Sequence, residues 1–219
     1  MFLKIGDVIA ADTLAVLRRA VDGLSFTDGR ATAGWAARDV KANRQAKPTG
    51  ALQAVTGEIE KAILAHEVFQ AAVRPRTLTP LILARYGAGE AYGNHVDDAL
   101  MRGLRTDVSF TLFLADPESY DGGALILDMP GGEEHVKLPA GALFCYPSTT
   151  LHRVEPVTRG ERIVAVGWAR SFIRMADQRE TLFDLDRARR MVFEREGKSE
   201  SFDLISKSLA NLIRRWAED

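Results

Sequence analysis

Residues 92–97 read YGNHVD, which places His95 and Asp97 two positions apart in a chain with only four histidines. On an extended strand alternate side chains share a face, so these two can converge on one cation while Val96 points away. Such a pair is common by chance and makes only half a site, so a third ligand is needed. His66, in AILAHEVFQ, falls in a helical pattern ahead of the strands, and His135 lies among charges in GGEEHVKLP. Both read as ordinary surface or structural histidines. His152, in YPSTTLHRVEPV, opens a strand pattern 55 residues beyond Asp97, enough chain for intervening strands to return beside His95.

Two neutral imidazoles and a carboxylate on one face of a metal leave coordination positions open, the arrangement used by non-haem Fe(II) oxygenases. Zinc accepts the same ligands, so the triad alone does not select the metal. Arg162, ten positions after His152, begins the apolar strand pattern RIVAVGWARSF. Burying a guanidinium there is costly without an anion. Either it pairs with Glu155 or Glu161 at the strand mouth, or its planar fork holds a carboxylate in the interior. A co-substrate with two carboxylates, one on the metal and one on Arg162, accounts for both features.

A frame of strands must position these groups. The segment DVSFTLFLAD alternates Val108, Phe110, Leu112 and Leu114 against Ser109, Thr111 and Phe113, the period of a strand with one face buried. Further short strand patterns (TPLILARY, GGALILD, EEHVKLP, GALFCYP, LHRVEPV and RIVAVGWARSF) are separated by turn signals such as DPESYDGG, MPGG and TRGE. Many short strands with Gly and Pro turns predict a sandwich, barrel or jelly roll. Before them, Leu14, Leu17, Val21 and Leu24 predict a helix from an Asp12 cap to about Gly23. Leu52, Val55, Ile59, Ile63 and Val68 predict a second helix from Thr49 to Val73, ended by Pro75. After Phe172 the helical period returns, with Phe202, Ile205, Leu209, Leu212 and Trp216 on one side of a final helix. That stripe predicts burial on the β-core or on a second subunit, and self-association through the C-terminal helices is the expectation.

The 219 residues suffice for one well-filled core, and 46% hydrophobic with 27% charged residues is the mixture of an ordinary globular protein. A net charge of −1 leaves no global field to attract nucleic acid or an anionic membrane. No apolar run approaches the roughly 20 residues of a membrane span, and the start MFLKIGDVIAADT is too short in apolar residues for a secretory signal. A lone cysteine, Cys145, rules out an intrachain disulfide and reads as a small core residue. A cytoplasmic location is expected, with no nucleic-acid or membrane partner.

The stretches RYGAGEAYGNHVDDA, DVSFTLFLADPESYDGGAL and YPSTTLHRVEPVTRGERIVAVGW, with DGRATAG, VKANRQ and SFIRMADQRETLFDLD, together resemble the PKHD-type hydroxylases of the Fe(II)- and 2-oxoglutarate-dependent dioxygenase superfamily, relatives of prolyl 4-hydroxylases. The resemblance implies a double-stranded β-helix at 77–174, flanked by helices at 1–76 and 175–219. It implies iron on His95, Asp97 and His152, and the distal carboxylate of 2-oxoglutarate on Arg162. Tyr86 and Tyr92 match tyrosines that help hold the co-substrate in related enzymes, although both also read as aromatic barrel wall. Phe113 stands where some relatives carry a co-substrate-binding tyrosine, and Thr111 on the same face is the candidate replacement. The implied reaction hydroxylates a peptidyl residue, an amino acid or a small, siderophore-like metabolite and releases succinate and CO2. Ascorbate is the expected reductant of the iron.

Two other classes stand beside this one. A cupin-type enzyme holding zinc or nickel would use the triad without 2-oxoglutarate and would have no use for Arg162. A non-catalytic module would need the metal only as structure, yet structural sites are usually closed by four ligands and no fourth is evident. Trp168 reads as packing.

Overall fold

The computed structural model describes residues 1–218 apart from Ala33 and Ala36. Strand β1 (Leu3–Ile5) and helix α1 (Ala11–Asp22) precede β2 (Phe26–Asp28), two 3-10 turns at Gly29–Thr32 and Ala37–Val40, β3 (Lys41–Ala42) and β4 (Arg44–Ala46). Helices α2 (Gly50–Ala65) and α3 (Glu67–Val73) follow, then β5 (Pro75–Leu78), β6 (Ile82–Tyr86), β7 (Ala91–His95), β8 (Leu100–Met101), β9 (Leu104–Arg105) and β10 (Val108–Phe113). Strands β11 (Asp121–Gly122), β12 (Leu125–Met129), β13 (Gly132–Val136), β14 (Leu143–Pro147), β15 (His152–Val154), β16 (Val157–Arg159) and β17 (Arg162–Ser171) complete the core. Helices α4 (Ala176–Glu196) and α5 (Glu200–Trp216) close the chain.

The strands form two facing sheets of a jelly roll. The major sheet runs β1-β14-β10-β17-β6-β4-β2, with β5 also on β17, and the minor sheet runs β13-β12-β15-β7-β3. All these pairings are antiparallel. One apolar core joins α1–α3 to the major sheet through residues such as Val21, Ile59, Phe69, Phe110, Leu112 and Ala165. A second lies around Phe113, Leu125, Leu127, Phe144 and Val164, between the sheets. Each large apolar side chain buried in this way stabilises the fold by roughly 1.5–3 kcal/mol.

Strand β10 is buried along its whole length, not on one face only. Val108, Phe110 and Leu112 pack in the helix-side core and Phe113 in the core between the sheets. Ser109 and Thr111 are buried as well, and both line the central cavity. A polar side chain is costly in such a position unless it is hydrogen-bonded or meets a ligand.

The N-terminal region differs from a helical flank: β1, β2 and β4 extend the major sheet and β3 the minor one. These strands are two or three residues long, too short for alternation to mark them. Asp12 lies in the first turn of α1, whose N-cap is Ala10 without a side-chain bond. The Thr49 hydroxyl does cap α2, accepting from the Leu52 amide at 3.1 Å. The expected single helix to Val73 breaks at His66, whose ψ of 117° is extended. The break resets the helical phase, so Phe69, Ala72 and Val73 are buried while Val68 is exposed.

At the other end, α5 lies on α4. Leu209 is buried and Leu212, Ile213 and Trp216 are half-buried, in a cluster with Ile173, Leu182 and Leu185. Phe202 meets Phe193 of α4, ring centroids 5.1 Å apart. The apolar stripe is therefore covered in large part by the preceding helix.

Candidate active site

Antiparallel pairing of β15 with β7 sets His152 opposite His95, and the two rings lie 4.2 Å apart between centroids. Asp97 follows two residues beyond the end of β7, and its Oδ2 comes within 3.9 Å of His152 Nε2. One ligand atom from each of the three residues lies within 4.8 Å of the others, so the set could hold one metal ion.

The backbone orients both imidazoles. His95 Nδ1 meets the Gly93 carbonyl at 2.8 Å, and His152 Nδ1 meets the Thr150 carbonyl at 2.9 Å. A carbonyl can only accept, so each Nδ1 carries the proton and each neutral ring keeps its Nε2 lone pair for a metal. Burial, reinforced by the neighbouring His152, pushes the His95 imidazole down to about 4, which keeps it neutral near pH 7. Gly93 is also a point of close approach: a Cβ there would meet Val40 at 2.7 Å, so any side chain would push the Ala37–Val40 turn off β7.

Ser109 is the bridge from the major sheet. Its Oγ lies 2.6 Å from Asp97 Oδ2 and 2.8 Å from Ser148 Oγ. Asp97 can only accept, so Ser109 donates to it and accepts from Ser148. The two hydroxyls hold the carboxylate in place as outer-shell partners hold metal ligands elsewhere.

Arg162 is 1% exposed, and its Nε is buried with no hydrogen-bond partner. Its guanidinium lies over the Tyr86 ring at 5.1 Å and the Phe113 ring at 5.6 Å. Among the described residues no carboxylate pairs with it. Glu161 instead pairs with Arg44 at 3.1 Å and Arg85 at 3.4 Å, and Glu155 lies 3.7 Å from His135. Gly123, at φ +64°, makes room for it: a Cβ there would come 3.3 Å from Arg162 Cδ and 2.8 Å from Val157. The buried Tyr120 hydroxyl is likewise without a partner.

All seven residues singled out from sequence (Tyr86, Tyr92, His95, Asp97, Thr111, His152 and Arg162) line one cavity of about 680 Å³. Tyr92 stacks on His95 at 3.7 Å, and Tyr86 lies opposite Arg162 across the β6–β17 ladder. Trp168 also lines the cavity and leaves its buried Nε1 without a partner, so it borders the site as well as packing. His66 and His135 lie outside the cavity lining, and Cys145 is buried in the helix-side core.

Sequence reasoning passed over Ser109, Ser148, Tyr146 and Lys41. Tyr146 sits across from Ser109 in the β10–β14 register and lines the cavity. Burial and the nearby Asp97 push its phenol well above the ordinary range, so it is a neutral hydroxyl. The signal available for Ser109 and Thr111 was their polarity on a strand that proves to be buried on both faces. Nothing local marked Lys41.

The donor set suits a divalent metal, since it offers two imidazole nitrogens and one carboxylate and leaves the rest of the coordination sphere to other ligands. The unpaired Arg162 in the same cavity suits an organic acid.

Relatives decide the class. A PKHD-type hydroxylase of Picosynechococcus sp. is 49% identical over 219 residues, covering all of both chains, and that of Maricaulis maris is 48% identical over the same length. Residues 81–170 match the 2OG-Fe(II) oxygenase superfamily, and residues 177–218 match the PKHD-type hydroxylase C-terminal domain. The chain belongs to the PKHD-type hydroxylases. It is thus an oxidoreductase, and neither a cupin-type enzyme outside this family nor a non-catalytic module. The hydroxylase shares its fold with a Pseudomonas putida prolyl-4-hydroxylase, at 22% identity and TM-score 0.55 over 78% of this chain and 92% of that one. A 2OG-Fe(II) oxygenase family oxidoreductase from Burkholderia pseudomallei aligns at 15% identity and TM-score 0.56, over 76% and 84%. No helix among the hydroxylase's described residues is long and apolar enough to cross a membrane.

Proposed function

We propose that this hydroxylase couples oxidative decarboxylation of 2-oxoglutarate to hydroxylation of a second substrate, releasing succinate and CO2. The observation that carries the reading is Arg162, a buried guanidinium without a protein carboxylate, in the same cavity as the metal-ligand triad. His95, Asp97 and His152 would hold Fe(II), and Arg162 would hold the distal carboxylate of the co-substrate as a charge-assisted pair. Bound iron supplies the activation of dioxygen that these side chains cannot provide.

The protein's own groups hold and shield. The Gly93 and Thr150 carbonyls keep each imidazole in the ligating tautomer, and Ser109 fixes the Asp97 carboxylate. Tyr86, Thr111 and Tyr146 line the same cavity and supply hydroxyls to the co-substrate, in place of the one missing at Phe113. The apolar walls around Val154, Val166 and Leu125 limit water beside the reacting groups. The prime substrate belongs to the peptidyl residues, amino acids or small metabolites. Ascorbate would be the reductant that keeps the bound iron as Fe(II), and a cytoplasmic setting belongs to the same reading.

Succinate formation by the purified enzyme with Fe(II), 2-oxoglutarate and dioxygen tests the reading, alongside a search of metabolite and peptide pools for a product one oxygen heavier. Succinate released only in the presence of both Fe(II) and dioxygen is the expected result. Failure of 2-oxoglutarate to bind the Mn(II)-loaded protein would falsify it.

A further inference from the structure

Lys41 is a second buried cation beside the triad. It is 7% exposed, lies on β3 at the end of the minor sheet and lines the same cavity. Its Nζ donates to Thr32 Oγ1 at 2.9 Å and lies 4.9 Å from the centroid of the Tyr92 ring. An ammonium has three protons to donate, and among the described residues no carboxylate comes within ion-pair distance of it. The Thr32 hydroxyl is itself engaged with the Gly29 carbonyl and Gln45 Oε1, both at 3.0 Å. The charge survives this burial: desolvation pushes the ammonium down to about 8, against the pull of the Asp97 and Asp28 carboxylates, so it is mostly protonated at pH 7. A buried charge held by one hydroxyl and one aromatic face is poorly compensated.

Its position separates it from Arg162. Lys41 pairs with Tyr92 on β7, whereas Arg162 pairs with Tyr86 on β6, so the two cations belong to opposite sheets. The lining of the same cavity includes apolar residues open to solvent: Val40, next to Lys41 in sequence, is 45% exposed, Val96 49% and Leu100 67%. Arg162 lies in the enclosed part. From Lys41 the path to the metal ligands is short, because Tyr92, under its ammonium, stacks on His95.

We propose that Lys41 binds a carboxylate of the prime substrate, so that this hydroxylase acts on a small organic acid or on a residue bearing a free carboxylate. The inference rests on the 2-oxoglutarate reading only in assigning Arg162 to the co-substrate. A single ammonium is a compact point charge that neutralises one negative charge, Thr32, Asn43 and Gln45 add none, and the Asp97 and Asp28 carboxylates that act on the ammonium disfavour a second negative charge. That composition fits a monoanionic carboxylate better than a phosphate dianion. The apolar side chains at the open end would take up the rest of the molecule.

The test uses the enzyme loaded with Mn(II) and saturating 2-oxoglutarate, which does not turn over. Matched pairs of N-acetyl amino acids and their N-acetyl amides serve as probes, and Mn(II) broadening of their proton resonances reports binding beside the metal. Wild type should favour at least one acid over its amide by about tenfold or more. Lys41→Met should abolish that preference, Lys41→Arg should keep part of it, and both should bind 2-oxoglutarate within about twofold of wild type. Wild type without any acid preference, or Lys41→Met retaining it, overturns the proposal. So does Lys41→Met losing 2-oxoglutarate, which would put Lys41 in the co-substrate site. If wild type takes up no 2-oxoglutarate, the co-substrate reading fails instead, and the acid-against-amide comparison with Mn(II) alone still decides the role of Lys41.

Discussion

The metal-ligand triad and the two buried cations of the cavity are built on opposite plans. Each triad member has a partner already in place: a carbonyl on His95, a carbonyl on His152 and a hydroxyl on Asp97. Arg162 and Lys41 are also buried, yet among the described residues no carboxylate lies within ion-pair distance of either. The triad side chains are oriented by the protein before any metal arrives. The cations are under-compensated in the free protein, so an incoming anion recovers interaction that the fold leaves unmade.

Four substitutions test that contrast. The largest effect should come from His152→Ala, which removes one of three ligands: calorimetric titration with Mn(II) should lose detectable binding while the circular dichroism of the strands persists. Unchanged affinity would mean that the metal sits elsewhere.

Next, Arg162→Met should weaken 2-oxoglutarate by on the order of 3–5 kcal/mol, the usual cost of leaving a buried charge pair half-made. The same substitution should raise the melting temperature of the ligand-free protein, because an apolar side chain replaces an unpaired buried charge. A lower melting temperature would show that the guanidinium is already paired in the free enzyme.

Ser109→Ala should reduce Mn(II) affinity by about 10- to 100-fold, the range typical of lost outer-shell partners, and leave the ligand set intact. An unchanged affinity would show that Asp97 needs no support from the major sheet. The smallest effect is expected for Tyr146→Phe, where one hydrogen bond to the co-substrate is worth about 1 kcal/mol, roughly fivefold in 2-oxoglutarate affinity. Metal affinity should not change, and an unaltered 2-oxoglutarate Kd would leave Thr111 and Tyr86 as the hydroxyls that matter.

Much of the frame was legible in the chain. The alternation of Val108, Phe110 and Leu112 with Ser109, Thr111 and Phe113 marked β10, and the spacing from Phe202 to Trp216 marked α5. Both are local periodicities, though only in α5 does the pattern follow a single buried side, since both faces of β10 are covered. The boundary errors share one cause, since each feature missed was too short to show a period: the strands of two or three residues near the N-terminus, and the single extended residue His66 that divides α2 from α3.

The residue types at His95, Asp97 and His152 and the distances between them along the chain determined that a three-ligand metal site could exist, because strand geometry alone puts alternate side chains on one face. Arg162 on an apolar strand likewise announced that an anion was needed. Which anion was left to the tertiary structure. Only the packing of the sheets sends Glu161 to Arg44 and Arg85 and leaves Arg162 without it. Only the pairing of β3 with β7 turns Lys41, in the polar stretch VKANRQ, into a buried cation over Tyr92. Partner choice is non-local: it depends on which strand edges and which faces remain free once the rest of the chain has packed, and no window of sequence contains that information.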